Sequence, residues 1–297
     1  MEATLEATLE EAFDQFLVSR IASGVKDITI QTYRGHFRSI SKHIDTTQKI
    51  TSVEKKDVDK VFVSMRKQNL SATTIQTYSR CLVTFFNWAN AEGLSTLKLK
   101  LYKADKTMKE PYSDAELQQL LADPHDQCDF WELRDWVIVN FLISSGCRAA
   151  TLLAILIGDI DLQNNIVYFR HTKNGHAQTM PLCARMSSIL ELYLRRRHGS
   201  KNDPLFCNDH FAPLTYPTLR KSLIKYNHSR GVMKTSIHLF RHTFAKKFIL
   251  DCGGNAFTLQ HLLGHKSLEM TRRYCDLYDS DIANHFEAIC PLNKIFN

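Results

Sequence analysis

Residues 98–116 read KLKLYKADKTMKEPYSDAE. Lys98, Lys100, Lys103, Lys106 and Lys109 run through this stretch without apolar periodicity, which predicts a linker over 98–110. Ser113 and Glu116 then stand at the spacing of a capping box. A serine hydroxyl at that position accepts from the backbone N–H three residues on, and the glutamate reaches back, so a helix begins here. A fresh helix start after a basic, aperiodic stretch marks a domain boundary. The chain has 297 residues, and at ~150 residues per domain two domains fit. The expected division is a helical domain over 1–97, the linker over 98–110, and a second domain over 111–297.

Working outward, the N-terminal side shows only helical spacing. Leu5, Ala12, Phe13, Phe16, Leu17 and Ile21 mark one segment, and Tyr33, Phe37, Ile40 and Ile44 the next. Val58, Val61, Phe62 and Met65 mark a third, and Ile75 to Ala89 a fourth that stops at Gly93. On the C-terminal side, Leu133 to Ser145 and Ala149 to Leu156 read as buried helices. Ile166 to Phe169 and Thr179 to Leu182, with a polar turn at Lys173-Asn174-Gly175 between them, read as a hairpin. Helices are expected to resume at Met186 and continue to the end. The fold class is mainly α with a small antiparallel β-sheet.

Hydrophobic residues make up 44% and charged residues 23%, a globular balance that excludes wholesale disorder. A net charge of +7 permits a nucleic-acid partner without requiring one. The cysteines are scattered with no C-x-x-C pair, and the start is not a secretory segment. A reducing, cytoplasmic setting and no zinc site are expected. The apolar run from Phe141 to Gly158 carries Arg148 at its middle. An arginine there would cost about 2.5–3.5 kcal/mol in a bilayer, so the run reads as protein core and no membrane partner is expected.

Several positions carry chemistry. Arg148 in an apolar run needs an acceptor, and alone it reads as half of a structural ion pair. Lys173 alone reads as an ordinary surface lysine at a hairpin tip. His238 and Arg241, three apart, share a helix face and together favour an anion, while Leu239, Phe240 and Phe244 turn inward. His238 and His242 lack the glutamate of an H-E-x-x-H site, so no metal is indicated. Leu262-Leu263-Gly264-His265 reads as a helix ended by glycine with a histidine at the entrance of the next, and Tyr274 follows Thr271-Arg272-Arg273.

Taken in order, Arg148, Lys173, His238-x-x-Arg241, Leu-Gly-His265 and Tyr274 resemble the tyrosine recombinase/phage integrase family. The resemblance covers nearly the whole chain: by motif from about Pro111, and by length and helical character, like a core-DNA-binding domain, before it. It implies site-specific DNA recombination (integration, excision, inversion or dimer resolution) through a 3′-phosphotyrosyl intermediate, with no cofactor or metal. In that reading Arg148 and Arg241 clamp the scissile phosphate, and His238 is the base. Lys173 is the general acid, and His265 donates to a non-bridging oxygen. Tyr274 is the nucleophile, with Tyr278 as its close competitor. Thr151 stands where family members commonly carry an acidic residue. The likeness is to compact two-domain members, Xer-like recombinases and mobile-element integrases, with no further N-terminal domain expected. A type IB topoisomerase-like nicking enzyme and a catalytically silent DNA-binding regulator are the competing readings.

The implied partner is a double-stranded recombination site held in a C-shaped clamp. Arg34, Arg38, Arg66, Arg80 and Lys103 are candidate contacts to it. Ile282, Phe286 and Ile289 fall on one face of an expected tail helix. Its docking into a neighbouring protomer would give a homo-tetramer on DNA, or a hetero-tetramer with a second recombinase.

Overall fold

The computed structural model describes residues 6–104, 110–124, 128–170 and 177–275, with residues 273–275 described by their backbone alone. The chain divides into two compact units, Met1–Met108 and Lys109–Asn297.

The first unit is helical: α1 (Leu9–Ala22), α2 (Asp27–Ile40), α3 (Lys55–Lys67) and α4 (Ala72–Ala91). Thr8 and Glu11 form a capping box that starts α1, and the Ser71 hydroxyl caps α4 by accepting from the Thr74 N–H. Phe13, Phe16, Phe37, Phe85 and Phe86 are buried together, with the Phe13 and Phe37 rings stacked at 3.8 Å. Each such ring contributes about 1.5–3 kcal/mol by leaving water. Gly93, at φ +73°, closes α4 and lets the Leu94 N–H reach the Ala89 carbonyl.

The start of the expected linker is packed against this unit rather than free. Leu97, Leu99 and Tyr102 pack on its core, and the Tyr102 N–H donates to the buried Ser79 hydroxyl at 2.8 Å. The Arg66 guanidinium lies over the Tyr102 ring and donates to its hydroxyl. The reason is visible afterwards: the leucines alternate with lysines, a period of two that a helical search passes over.

In the second unit, α5 (Asp114–Leu121) starts at the Ser113–Glu116 capping box. α6 (Phe130–Ser145) is buried around its whole circumference from Leu133 to Leu142. That burial includes an ion pair: Arg134 donates to Asp135 at 2.8 Å, to the Cys207 carbonyl and to the Ser222 hydroxyl. Burial pushes the Asp135 carboxyl up against the pull of Arg134. α6 ends at Gly146, at φ +59°, where any side chain would collide with the Phe244 ring. α7 (Ala149–Leu153) follows at once, so the run from Phe141 to Gly158 is a helix, a tight turn and a second short helix.

The sheet is β1 (Ile160–Asp161), β2 (Ile166–Phe169) and β3 (Gln178–Pro181), antiparallel in that order, with Val167 opposite Met180 and both turned into the core. β1 was not expected because two residues cannot show alternation. α8 (Ala184–Arg197) follows, but helices do not continue unbroken to the end as expected. Residues 198–215 form no helix and instead make bridges Leu156 to Pro204 and Cys207 to Pro213, since Gly199, Pro204 and Pro213 interrupt any helix. α9 (Tyr216–Ser229), α10 (Ile237–Leu250), α11 (Ala256–Leu263) and α12 (Leu268–Cys275) complete the unit. The tail helix expected beyond Asp279 lies outside the described residues. Among the described residues no helix is long and apolar enough to cross a membrane.

Candidate active site

The site is organised by the end of one helix. α11 starts at Asn255, whose side chain accepts from the Thr258 N–H, and stops at Gly264 in the left-handed conformation at φ +59°. The last carbonyls of a helix have no partner within it and carry partial negative charge, so they attract donors and cations. Here the His261 and Leu262 carbonyls accept from the Gln178 amide on β3, at 2.7 and 3.1 Å. The next carbonyl, Leu263, accepts from Arg241 at 2.9 Å and from Arg148 at 3.5 Å.

Each arginine arrives from a different element. Arg148 is the N-cap residue of α7, placed by the Gly146 turn and half-buried. Arg241 is set in the inward stripe of α10, between Phe240 and Thr243, and is 6% exposed. A buried guanidinium must fill its donors. Arg241 places three of its five N–H donors on the Gly146 carbonyl at 2.9 Å, the Leu263 carbonyl, and His265 Nε2 at 2.7 Å. It therefore joins the end of α6 to the end of α11. His265 is buried too, and its other ring nitrogen, Nδ1, lies 2.8 Å from the Thr271 hydroxyl of α12.

Arginine only donates, so His265 Nε2 accepts in this arrangement. His238 sits one turn before Arg241 on α10 and is exposed, whereas Arg241 is buried. Of the three apolar residues expected inward, Leu239 and Phe240 are buried and Phe244 is half-buried. Desolvation, then the charges of His238 and Arg241, hold the His242 imidazole below its ordinary pKa, so it is neutral at pH 7. Burial pushes the neighbouring Cys147 thiol up to about 11, which leaves it inert. Thr151 is buried on α7.

The structure thus brings together Arg148, Arg241 and His265. Lys173 and Tyr278 lie outside the described residues. Tyr274 belongs to α12, one turn beyond Thr271, and is described by its backbone. Arg34, Arg38, Arg66, Arg80 and Lys103 are all exposed on the first unit, Arg66 being engaged with Tyr102. Sequence reasoning missed Gln178, for which there was no signal, and the Leu263 carbonyl, for which the Leu-Leu-Gly-His ending was one; it noted Thr271 only as the context of Tyr274, without a role of its own. Among the described residues no group of three or more His, Cys, Asp or Glu side chains could hold a metal ion.

Two guanidinium groups converging on one point make a site for negative charge. They can offer paired N–H donors to the non-bridging oxygens of a phosphate and stabilise the charge that grows there in a phosphoryl transfer.

Comparison with known proteins agrees with that chemistry. Residues 112–281 match the model of the phage integrase family, and residues 11–93 match the phage integrase N-terminal SAM-like domain. Tyrosine recombinase XerA of Saccharolobus solfataricus is 27% identical over 289 residues, covering 93% of this chain and 91% of the relative. Tyrosine recombinase XerD of Listeria innocua is 25% identical, covering 90% and 93%. Among solved structures, the Tn1549 transposon integrase in complex with circular intermediate DNA superposes with a TM-score of 0.78 at 21% identity, covering 94% of this chain and 99% of that one. A lambda integrase tetramer bound to a Holliday junction gives 0.74 at 18% identity, covering 92% and 80%.

Proposed function

This chain belongs to the phage integrase family and is a tyrosine-type site-specific DNA recombinase, and from that premise we propose how its residues divide the reaction. Tyr274 Oη attacks the scissile phosphorus, the P–O5′ bond breaks, and a 3′-phosphotyrosyl ester forms. The phenolic proton passes to His238, and Lys173 supplies a proton to the departing 5′-oxygen. A 5′-hydroxyl from the partner strand then attacks the ester and restores the tyrosine. Bonds made equal bonds broken, so the exchange needs no nucleotide hydrolysis. The observation that carries this reading is the convergence of Arg148 and Arg241 on the Leu263 carbonyl, with His265 beside Arg241. The phosphate would take the place between the guanidinium groups. Recombination between two sites is favoured over simple relaxation because the named relatives are recombinases.

The acid is tested through its leaving group. Lys173→Ala should slow cleavage of an ordinary phosphodiester by roughly 10²–10⁴-fold. A 5′-bridging phosphorothiolate, whose sulfur leaves without a proton, should be cleaved by the variant nearly as fast as by the parent. Equal slowing on both substrates would remove Lys173 from that role.

We further propose that the working form is a homo-tetramer on two paired sites, closed by head-to-tail docking of the C-terminal segment into the next protomer. An apolar groove of ≈ 600 Å³ lined by Leu117, Leu121, Ile143, Met186 and Ile189 would seat the Ile282, Phe286 and Ile289 face. The chain should scatter light as a tetramer on paired sites, and truncation after Ser280 should abolish that assembly while sparing single-site binding. A truncated chain that still forms the tetramer would show that the tail packs elsewhere.

A further inference from the structure

We propose that Thr271 is a positioning residue: from the helix that carries Tyr274, its hydroxyl fixes the tautomer of His265 and thereby the orientation of Arg241. The inference rests on the reading of Arg241 and Tyr274 given above.

The argument starts from what each atom can do. Guanidinium N–H groups only donate, so the 2.7 Å contact between Arg241 Nη2 and His265 Nε2 requires a lone pair on Nε2. The ring is then neutral and its proton is on Nδ1. Nδ1 faces the Thr271 hydroxyl at 2.8 Å, which accepts that proton's hydrogen bond. Thr271 is wholly buried, His265 is 9% exposed and Arg241 is 6% exposed, so water has little access to substitute for either contact. The backbone adds to this: the His265 N–H donates to the Gln260 carbonyl, which fixes the ring's origin at the end of α11.

Without an acceptor at Thr271, the buried Nδ1–H would lose the hydrogen bond that holds the proton on that nitrogen. Moving the proton to Nε2 would relieve that, but would set two donors against each other at Arg241. The guanidinium would then turn away from the Leu263 carbonyl and lose its alignment with Arg148. Thr271 lies one turn before Tyr274, so α12 must be seated for the relay to close. The relay therefore links the seating of the nucleophile's helix to the readiness of the phosphate clamp.

The test has two arms. In the first, the intact DNA-free protein is labelled with ¹⁵N-histidine, and the His265 signals are assigned by their loss in His265→Gln. The Nδ1–H tautomer is expected in the parent, and a parent protein with the proton on Nε2, or on both nitrogens at neutral pH, would overturn the proposal whatever the cleavage rates of the variants. In the second arm, cleavage is followed in a single turnover on a nicked duplex built from the DNA sequence trapped on the protein. Thr271→Val keeps the shape and removes the hydroxyl, and it should slow cleavage roughly ten- to hundredfold with DNA affinity unchanged. Thr271→Ser, which can still accept, should stay within about threefold of the parent. Parental rates in Thr271→Val, or equal losses in both variants, would leave Thr271 a packing residue only. A failure of the Tyr274 assignment would appear separately, as an adduct on another residue.

Discussion

Replacing Tyr274 by phenylalanine is expected to abolish the covalent protein–DNA adduct while leaving DNA binding nearly unchanged. The substitution removes one oxygen and keeps the ring. It removes the only atom that forms the new bond to phosphorus in the proposed reaction. Loss of a covalent nucleophile costs roughly 10⁴-fold or more in rate. A phenol with a pKa of ~10 is ionised in only about one molecule in a thousand at neutral pH. The nucleophile therefore depends on a base and on nearby positive charge, which His238, Arg148 and Arg241 would supply. Gel-shift affinity and adduct yield, measured on the same nicked duplex, separate binding from chemistry. An undiminished adduct in Tyr274→Phe would transfer the role to Tyr278.

The second large effect is expected at Arg241, and it has two parts, of which Arg148 shares only the loss of cleavage. Arg241→Lys keeps the charge but not the fork, and a single ammonium cannot serve the Gly146 carbonyl, the Leu263 carbonyl and His265 Nε2 together. At least one buried acceptor then loses its donor, at about 1–3 kcal/mol. The phosphate also loses a paired donor, which typically costs about 10²–10³-fold in the chemical step. Arg148→Lys should show a comparable loss of cleavage but little loss of stability, because Arg148 is half-buried and its contact to Leu263 is long at 3.5 Å. Urea unfolding and single-turnover cleavage on both variants check this. Equal destabilisation by the two substitutions would contradict the asymmetry.

How much of this was readable beforehand depends on whether the cause was local. The Ser113–Glu116 box, the Gly146 and Gly264 helix ends and the β2–β3 alternation are local signals, and each appears in the structure. The packing of residues 97–102 was masked because lysines alternate with the leucines, so charge hid a two-residue period. The non-helical stretch 198–215 carries its glycine and prolines in plain sight, but they are spread too thinly to read as a turn. The order of Arg148, Arg241 and His265 along the chain suggested a shared site, yet nothing local indicates that Arg241 is buried. Its acceptors come from α6 and α11, which are distant in sequence. The direction of the His265 hydrogen bond is likewise set by two partners in space, Arg241 and Thr271. Gln178 shows the same limit, since a glutamine in a short strand gives no hint that it caps another helix.

The central claim is that this chain cuts DNA by joining itself to it through Tyr274. The most direct measurement is to trap the protein on a nicked duplex that loses its 5′-hydroxyl fragment by diffusion, digest the adduct, and locate the modified peptide by mass spectrometry. The account expects a single nucleotide-bearing peptide with the phosphate on Tyr274, joined to a DNA 3′ end, and formed equally well in EDTA. A phosphate on any other residue, a linkage to a 5′ end, or no covalent product under conditions of full DNA binding would contradict it.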